Sequence, residues 1–288
     1  MCFLDRRILL NAWPTALFVL LWSSGAIFSR WGLDDASPFV LLALRFGVAL
    51  VFLWLLGWRE RRWLPEPGTR AQVAGTGLLL VGGYSCAYFL ALDQGLTPGA
   101  LATILGVQPI ATLLLQERRA SAARLVGLGV ALGGLVLVVL DSLLRARVSF
   151  SGVGWALAAL ACITLGTIAQ KRIALAPTRV LPLQCAVALL LCLAMLPVQP
   201  LRLNATPMLA VSVLWLGGVI SVGATVLLYR ALRSGNLVNV TSLFYLVPGG
   251  TALLDWLLLG NRMAPLALLG LGLVVAGLLL VFKARPAG

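Results

Sequence analysis

The chain has no histidine at any of its 288 positions and only nine Asp or Glu residues. Without histidine there is no His-based zinc site and no Ser–His or Cys–His nucleophile pair. The acids stand mostly at the ends of apolar segments and form no paired-carboxylate cluster at membrane depth, which argues against an embedded acid–base enzyme. No repeated charged or carbonyl-rich run reads as an ion-channel filter. Cysteine is also scarce: of the five, Cys86, Cys162, Cys185 and Cys192 fall inside apolar runs. An odd count with no paired spacing fits packing residues, not a disulfide framework. No cofactor or metal is expected.

What is abundant is hydrocarbon. Apolar residues make up 61% of the chain, charged residues only 11%, and mean hydropathy is +1.02. A soluble domain has about 45–50% and about 25%, so this chain is solvated mainly by lipid. Ten runs are long enough to cross about 30 Å of hydrocarbon at 1.5 Å per residue. They cover 12–30, 38–57, 71–92, 97–117, 122–141, 151–171, 179–198, 207–230, 236–258 and 264–283. The first, preceded by Arg6 and Arg7, reads as an uncleaved first helix because nine more follow.

A net charge of +13 and a pI near 11.0 would fit a nucleic-acid partner, but the distribution points to a bilayer. Alternate loops hold sixteen Lys and Arg on one side and five on the other, with Arg45 inside the second run. All the loops are short, so the bias is an orientation signal that puts both termini in the cytoplasm. An Arg-, Ala-, Leu- and Gly-rich composition suits a bacterium with a GC-rich genome, hence an inner-membrane location.

The chain also repeats itself. Ala91-Leu92-Asp93-Gln94-Gly95 returns as Ala231-Leu232-Arg233-Ser234-Gly235, and a mid-helix proline follows each copy, at Pro109 and Pro248. Gly127, Gly129 and Gly134 return as Gly270, Gly272 and Gly277, all displaced by 143 positions. The predicted fold is an all-α polytopic membrane protein of ten helices in two five-helix repeats, 1–146 and 147–288. Five is odd, so the second copy enters from the opposite face. Inverted repeats are transporter architecture, with a substrate site near the midplane between the halves and alternating access by rocking. Gly129 with Gly133, and Gly272 with Ala276, are expected to form a close helix–helix seam.

Polar groups at membrane depth are costly and mark a pathway. Arg45 has three open readings: an internal tie, a contact for a substrate carboxylate, or a side chain snorkelling outward. Asp255 is its suspected partner from the other half. Candidate substrate contacts are Trp22, Ser23, Tyr84, Tyr88, Gln108, Thr164, Gln170, Tyr229, Asn239 and Tyr245. Tyr84 and Tyr88 share a face at i and i+4. Rings plus hydroxyls and amides suit a ligand with an apolar or aromatic body and a polar or zwitterionic end. Trp13, Trp31, Trp58, Trp63 and Trp155 read as an interfacial belt. Pro109 and Pro248 each remove a backbone hydrogen bond and kink their helices, as static bends or as hinges. Gln108, Ser242 and Tyr245 are placed to serve the carbonyls so released.

The stretch Leu21-Trp22-Ser23-Ser24-Gly25, then Pro38-Phe39 leading to Leu44-Arg45-Phe46, resembles the first two helices of the EamA-type drug/metabolite transporters. So does Tyr88-Phe89-Leu90-Ala91-Leu92 through Pro109 to Glu117-Arg118, with Gly127 and Gly134 beyond. Within that superfamily the chain looks most like the bacterial amino-acid exporters, including the aromatic branch. The resemblance implies an inner-membrane exporter of amino acids, aromatic or other neutral ones, and related metabolites. The alternative is a multidrug or nucleoside-type exporter of the same superfamily. A monomer, a small-molecule substrate and the bilayer are the expected partners, with no nucleic acid. Two departures stand out. The small four-helix multidrug relatives carry a glutamate in their first helix, whereas none lies between Ala12 and Arg30 here. Glu117 is matched in the second copy by Gly260-Asn261. Substrate is therefore expected to run down its own gradient.

Overall fold

The computed structural model describes residues 6–58, 64–117, 121–144, 149–259 and 264–284, and these are helical almost throughout. The spans are α1 (Arg6–Asp35), α2 (Pro38–Gly57), α3 (Pro67–Asp93), α4 (Pro98–Gln116) and α5 (Ala122–Val138). The second set is α6 (Phe150–Lys171), α7 (Pro177–Val198), α8 (Pro207–Ser234), α9 (from Leu237, with its last segment Leu246–Leu259) and α10 (Pro265–Lys283). The chain is thus an all-α membrane protein: among the described residues nine helices are long and apolar enough to cross a bilayer, and α5, a shorter apolar helix of 17 residues, stands as the tenth.

Local chemistry sets the boundaries. α2, α4, α7, α8 and α10 each open on a proline, whose missing N–H costs nothing in a first turn. Thr97, Ser149, Thr206 and Asn236 cap α4, α6, α8 and α9 by accepting backbone N–H groups. The repeated Ala-Leu-x-x-Gly segments are helix ends solved in two ways. At the first, Gly95 takes φ +85, and Leu96 N–H bonds Ala91 C=O at 3.1 Å, a glycine-terminated helix end. At the second, Gly235 stays at φ −99 and Lys171 Nζ donates to the carbonyls of Leu232 and Gly235, at 2.5 and 2.7 Å.

The inversion is visible in the packing. Closest approach is between α5 and α10, where glycines bring the backbones together. A methyl on Gly134 would lie 2.6 Å from Gly270 C=O, and one on Gly127 2.9 Å from Gly277 C=O. A two-fold axis that exchanges the repeats turns one of these contacts into the other. The seam is not the predicted one: Gly129, Gly133 and Gly272 have nothing within 4 Å and, with Ala276, face outward. The reason is helical phase, since Gly127 and Gly134 are seven residues apart and share the buried stripe while Gly129 and Gly133 lie off it.

Neither repeat has its own core. α1 packs on α8 and α9, and its counterpart α6 packs on α3 and α4; likewise α2 packs on α8, and α7 on α3. The result is two mixed bundles, α1–α2–α8–α9 and α3–α4–α6–α7, joined through α2 with α7 and α5 with α10. Two features mark the helices between them. α3 and α8 carry matched π-helical stretches, Leu78–Gly83 and Trp215–Ala224. α4 breaks at Gly106 and Val107, and α9 tightens to a 3₁₀ turn at Leu243–Tyr245.

Candidate substrate cavity

A cavity of about 140 Å³ lies between the mixed bundles, against the two broken helices. Its wall uses Leu105, Gly106, Gln108 and Pro109 of α4, and Phe244, Tyr245, Val247 and Pro248 of α9. These are the same four repeat positions, each displaced by 139. Pro109 and Pro248 cannot donate to the carbonyls four residues earlier, on Leu105 and Phe244, so helical bonding lapses where the wall needs irregular backbone. Irregular backbone at membrane depth survives only when buried in protein or lining a cavity.

The other walls are aromatic and small. α1 presents Trp22, Gly25, Ala26 and Ser29, and α3 presents Tyr84, Ser85, Tyr88 and Phe89. The rings of Tyr84 and Tyr88 are 5.8 Å apart, and Trp22 meets Phe244 of the other repeat edge-on at 5.4 Å. No Asp or Glu among the described residues lines the cavity. A smaller cavity of about 40 Å³ lies beyond Trp22, Arg45, Tyr84 and Ser85, which it shares with the first, and it is also bounded by Ser221, Thr225 and Tyr229.

Five of the ten sequence-derived substrate candidates line the main cavity: Trp22, Tyr84, Tyr88, Gln108 and Tyr245. Tyr229 lines the smaller one, with its hydroxyl donating to Gln184 Oε1 at 2.7 Å. The other four stand elsewhere. Ser23 is fully buried between α1 and α9, donating to the carbonyls of Val19 and Val247 at 2.6 and 3.0 Å. Gln170 accepts from Gln184 Nε2 at 2.9 Å, and Thr164 is buried on α6 with no partner for its hydroxyl among the described residues. Asn239 accepts from Arg124 at 2.9 Å, near the ends of the helices. Of the gating candidates Pro109 and Pro248 line the cavity, and so does Arg45. The Asp255 side chain lies outside the described residues, as does Trp63.

Nor do the side chains beside the prolines serve the released carbonyls. Ser242 bonds Asn239 C=O at 2.8 Å, Gln108 reaches Thr167 at 3.5 Å, and the buried Tyr245 hydroxyl has no partner among the described residues. Of the expected belt, Trp13, Trp58 and Trp155 are exposed, whereas Trp31 packs edge-on against Phe28 at 5.2 Å.

Some lining residues escaped the sequence reading although a signal existed. Gly25, Ala26 and Ser29 follow Trp22 at i+3, i+4 and i+7, one helical stripe. Phe244 would have followed from laying Pro248 over Pro109. No signal pointed to Ser221. It accepts from Arg45 Nε at 2.8 Å across 176 positions of sequence.

The terminal side of the molecule, where α1 begins and α10 ends, is closed. There the Gln108–Gln116 half of α4 packs on the Leu237–Ser242 start of α9. Arg124, 1% exposed, donates to Glu117 Oε1 and to the amide oxygens of Asn236 and Asn239, both at 2.9 Å. It is the one ion pair among the described residues and ties α4 and α5 of the first repeat to α9 of the second. On the far side the halves diverge: the Pro98–Leu105 half packs on α6, and the Leu246–Leu259 half on α1.

Inverted repeats, matched broken helices and a cavity between mixed bundles are the architecture of a membrane transporter. Comparison with known proteins agrees. The EamA-like transporter family matches residues 13–140 and again 150–283, and the chain belongs to that family. A solved structure described only as "Crystal structure of protein" is similar over 93% of this chain and 94% of its own, at 23% identity and a TM-score of 0.77. That likeness is one of fold. No curated protein matches the chain.

Proposed function

We propose that this transporter exports small metabolites, with amino acids (aromatic or other neutral ones) as its first class of cargo, across a bacterial inner membrane as a monomer. The observation that carries this reading is the cavity wall: Trp22, Tyr84, Tyr88 and Phe244 supply ring faces, while Gln108, Ser29 and Arg45 supply polar ends. Sites for drug-sized ligands run to about 300–1,000 Å³. The cavity here, about 140 Å³, favours a metabolite over a bulky drug.

The mechanism is alternating access. The structure is closed on the terminal side by Arg124 and the α4–α9 contact. The charge bias of the loops makes that side cytoplasmic, so this is the state in which cargo leaves outward. Rocking of the mixed bundles about the α5–α10 glycine seam breaks the Arg124 tie, parts the inner halves of α4 and α9, and closes the outer ones. With no acid between Ala12 and Arg30 of α1 and none among the described residues of the cavity wall, cargo runs down its own gradient.

Transport is tested in proteoliposomes with labelled aromatic amino acids, a nucleoside and a cationic drug. Equilibration of the amino acids without a proton gradient supports the reading. Movement of the drug alone replaces it with the multidrug alternative, and uptake that requires a proton gradient removes the uncoupled mechanism. Orientation is tested with an impermeant thiol reagent on intact cells. Gln94→Cys should react and Glu66→Cys should not; the reverse would invert the export direction.

A further inference from the structure

We propose that Arg45 is the anion site of the cavity: the cargo carries a carboxylate that docks on its guanidinium, and among solutes with the same ring the net anion is held more tightly than the zwitterion, and the bare amine least. This rests on the cavity between the mixed bundles being the transport site.

The argument starts from what Arg45 lacks. It stands in the wall shared by the two cavities, and its single hydrogen bond to a described residue runs from Nε to Ser221 Oγ at 2.8 Å. Its Cζ lies 5.5 Å from the centre of the Phe46 ring, within cation–π range. Nη1 and Nη2 bond no described residue, and neither is among the buried polar atoms sealed away from solvent space. Their N–H groups are therefore open to the cavity, as a fork whose geometry matches a carboxylate. Among the described residues no Asp or Glu lines either cavity to neutralise the charge.

The second repeat shows what this position needs for folding alone. Leu44-Arg45-Phe46-Gly47-Val48-Ala49-Leu50 overlies Leu183-Gln184-Cys185-Ala186-Val187-Ala188-Leu189, so Gln184 is the counterpart of Arg45. The packing agrees: a methyl on Gly77 would meet Gln184 Cα at 2.7 Å, and one on Gly217 would meet Arg45 C=O at 2.8 Å. Gln184 is fully buried and neutral, and both ends of its amide are used, by Gln170 and Tyr229. The α2–α7 framework thus accepts a neutral amide at this place. A cation at membrane depth is costly without a partner, and an arriving carboxylate supplies one. An ammonium finds only ring faces and hydroxyls in the same cavity, which orders the three charge types.

The test uses three solutes that share a phenyl ring, namely phenylpyruvate, phenylalanine and phenethylamine, with purified protein in proteoliposomes. Binding is read by tryptophan fluorescence and transport by counterflow. Wild type should rank them in that order, with phenethylamine at least about ten-fold weaker than phenylpyruvate. Arg45→Gln, which copies the second repeat, should weaken both carboxylates about ten- to a hundred-fold and leave phenethylamine unchanged. Arg45→Lys should fall between. Ser221→Ala should keep the ranking, because it removes only the tether. If Arg45→Gln does not fold, the wild-type ranking and Arg45→Lys still decide. Phenethylamine handled as well as phenylpyruvate by wild type, or carboxylate preference surviving in Arg45→Gln, overturns the anion site while leaving the cavity reading intact. If none of the three binds or moves in wild type, the cavity reading itself fails for this cargo, and the anion site with it.

Discussion

The two repeats share a backbone plan but differ in what they put on it. At matched positions the first carries Arg45, Gly106 and Gln108, and the second carries Gln184, Tyr245 and Val247. Gln184 is spent on Gln170 and Tyr229, a closed polar network, while Arg45 stands in the cavity wall with donors that bond no described residue. Gly106 is small and abuts Leu132 and Leu135 of α5, whereas Tyr245 is a large buried ring in the core cluster that includes Leu128 and Val274. The fold requires symmetry only where backbones cross, as at the α5–α10 seam. A ligand without two-fold symmetry requires the opposite. The first repeat supplies most of the aromatic and polar cavity wall, through α1, α2 and α3, while the second supplies Phe244, Tyr245 and the tie at Asn236 and Asn239.

The comparison breaks first where the repeats are tied by charge. Arg124→Ala leaves the Glu117 carboxylate buried without its partner, a loss worth about 3–5 kcal/mol for buried pairs. That should depopulate the state closed on the terminal side. Thr112 is fully buried on the inner half of α4, so Thr112→Cys should be inert to thiol reagents from that side and become reactive when combined with Arg124→Ala. Unchanged labelling would deny the tie any role in closure.

The seam is the next test, and adjacent glycines separate symmetry from composition. Gly134→Ala pushes a methyl toward Gly270 C=O and Val274 N, at 2.6 and 2.7 Å before relaxation. It should cost about 1–3 kcal/mol, as overpacking does, read as a lower melting temperature in detergent. Gly133→Ala meets nothing within 4 Å and should be neutral. Equal shifts would show that the repeats are not held here.

Cavity rings come third. Trp22→Ala or Tyr88→Ala should weaken cargo binding by roughly 1–2 kcal/mol, about ten-fold, through lost apolar contact. Trp58→Ala, 61% exposed at the end of α2, should bind normally at equal expression. Tolerance of alanine at both Trp22 and Tyr88 in a folded protein would remove the case for a ring-bearing cargo.

The smallest effect distinguishes two buried tyrosines of the second repeat. Tyr229→Phe breaks the hydroxyl bond to Gln184 and should cost about 1 kcal/mol of stability. The Tyr245 hydroxyl bonds no described residue, so Tyr245→Phe should leave stability unchanged. A fall in cargo affinity with Tyr245→Phe would mark that hydroxyl as a ligand contact.

What the sequence determined by itself is the one-dimensional information: ten apolar runs, their alternation of charge and the duplicated glycines and prolines. Hydrocarbon enforces these locally, because every backbone polar group in a span must be satisfied within the helix and every loop must reach water. That is why the span limits hold to a few residues and why Trp22, Tyr84 and Tyr88, on phased stripes of two helices, come together in the cavity. Only the tertiary structure decided which helices touch. Between helices in lipid the apolar effect is nearly absent, and association depends on shape at particular small residues and on single polar contacts, which carry no periodic signal. So the seam fell on Gly127 and Gly134 instead of Gly129 and Gly133. Ser23, Gln170 and Asn239 went to ties between helices. The repeats interleaved instead of standing apart. Arg45 met Ser221, a residue 176 positions away that no pattern in the chain connects to it.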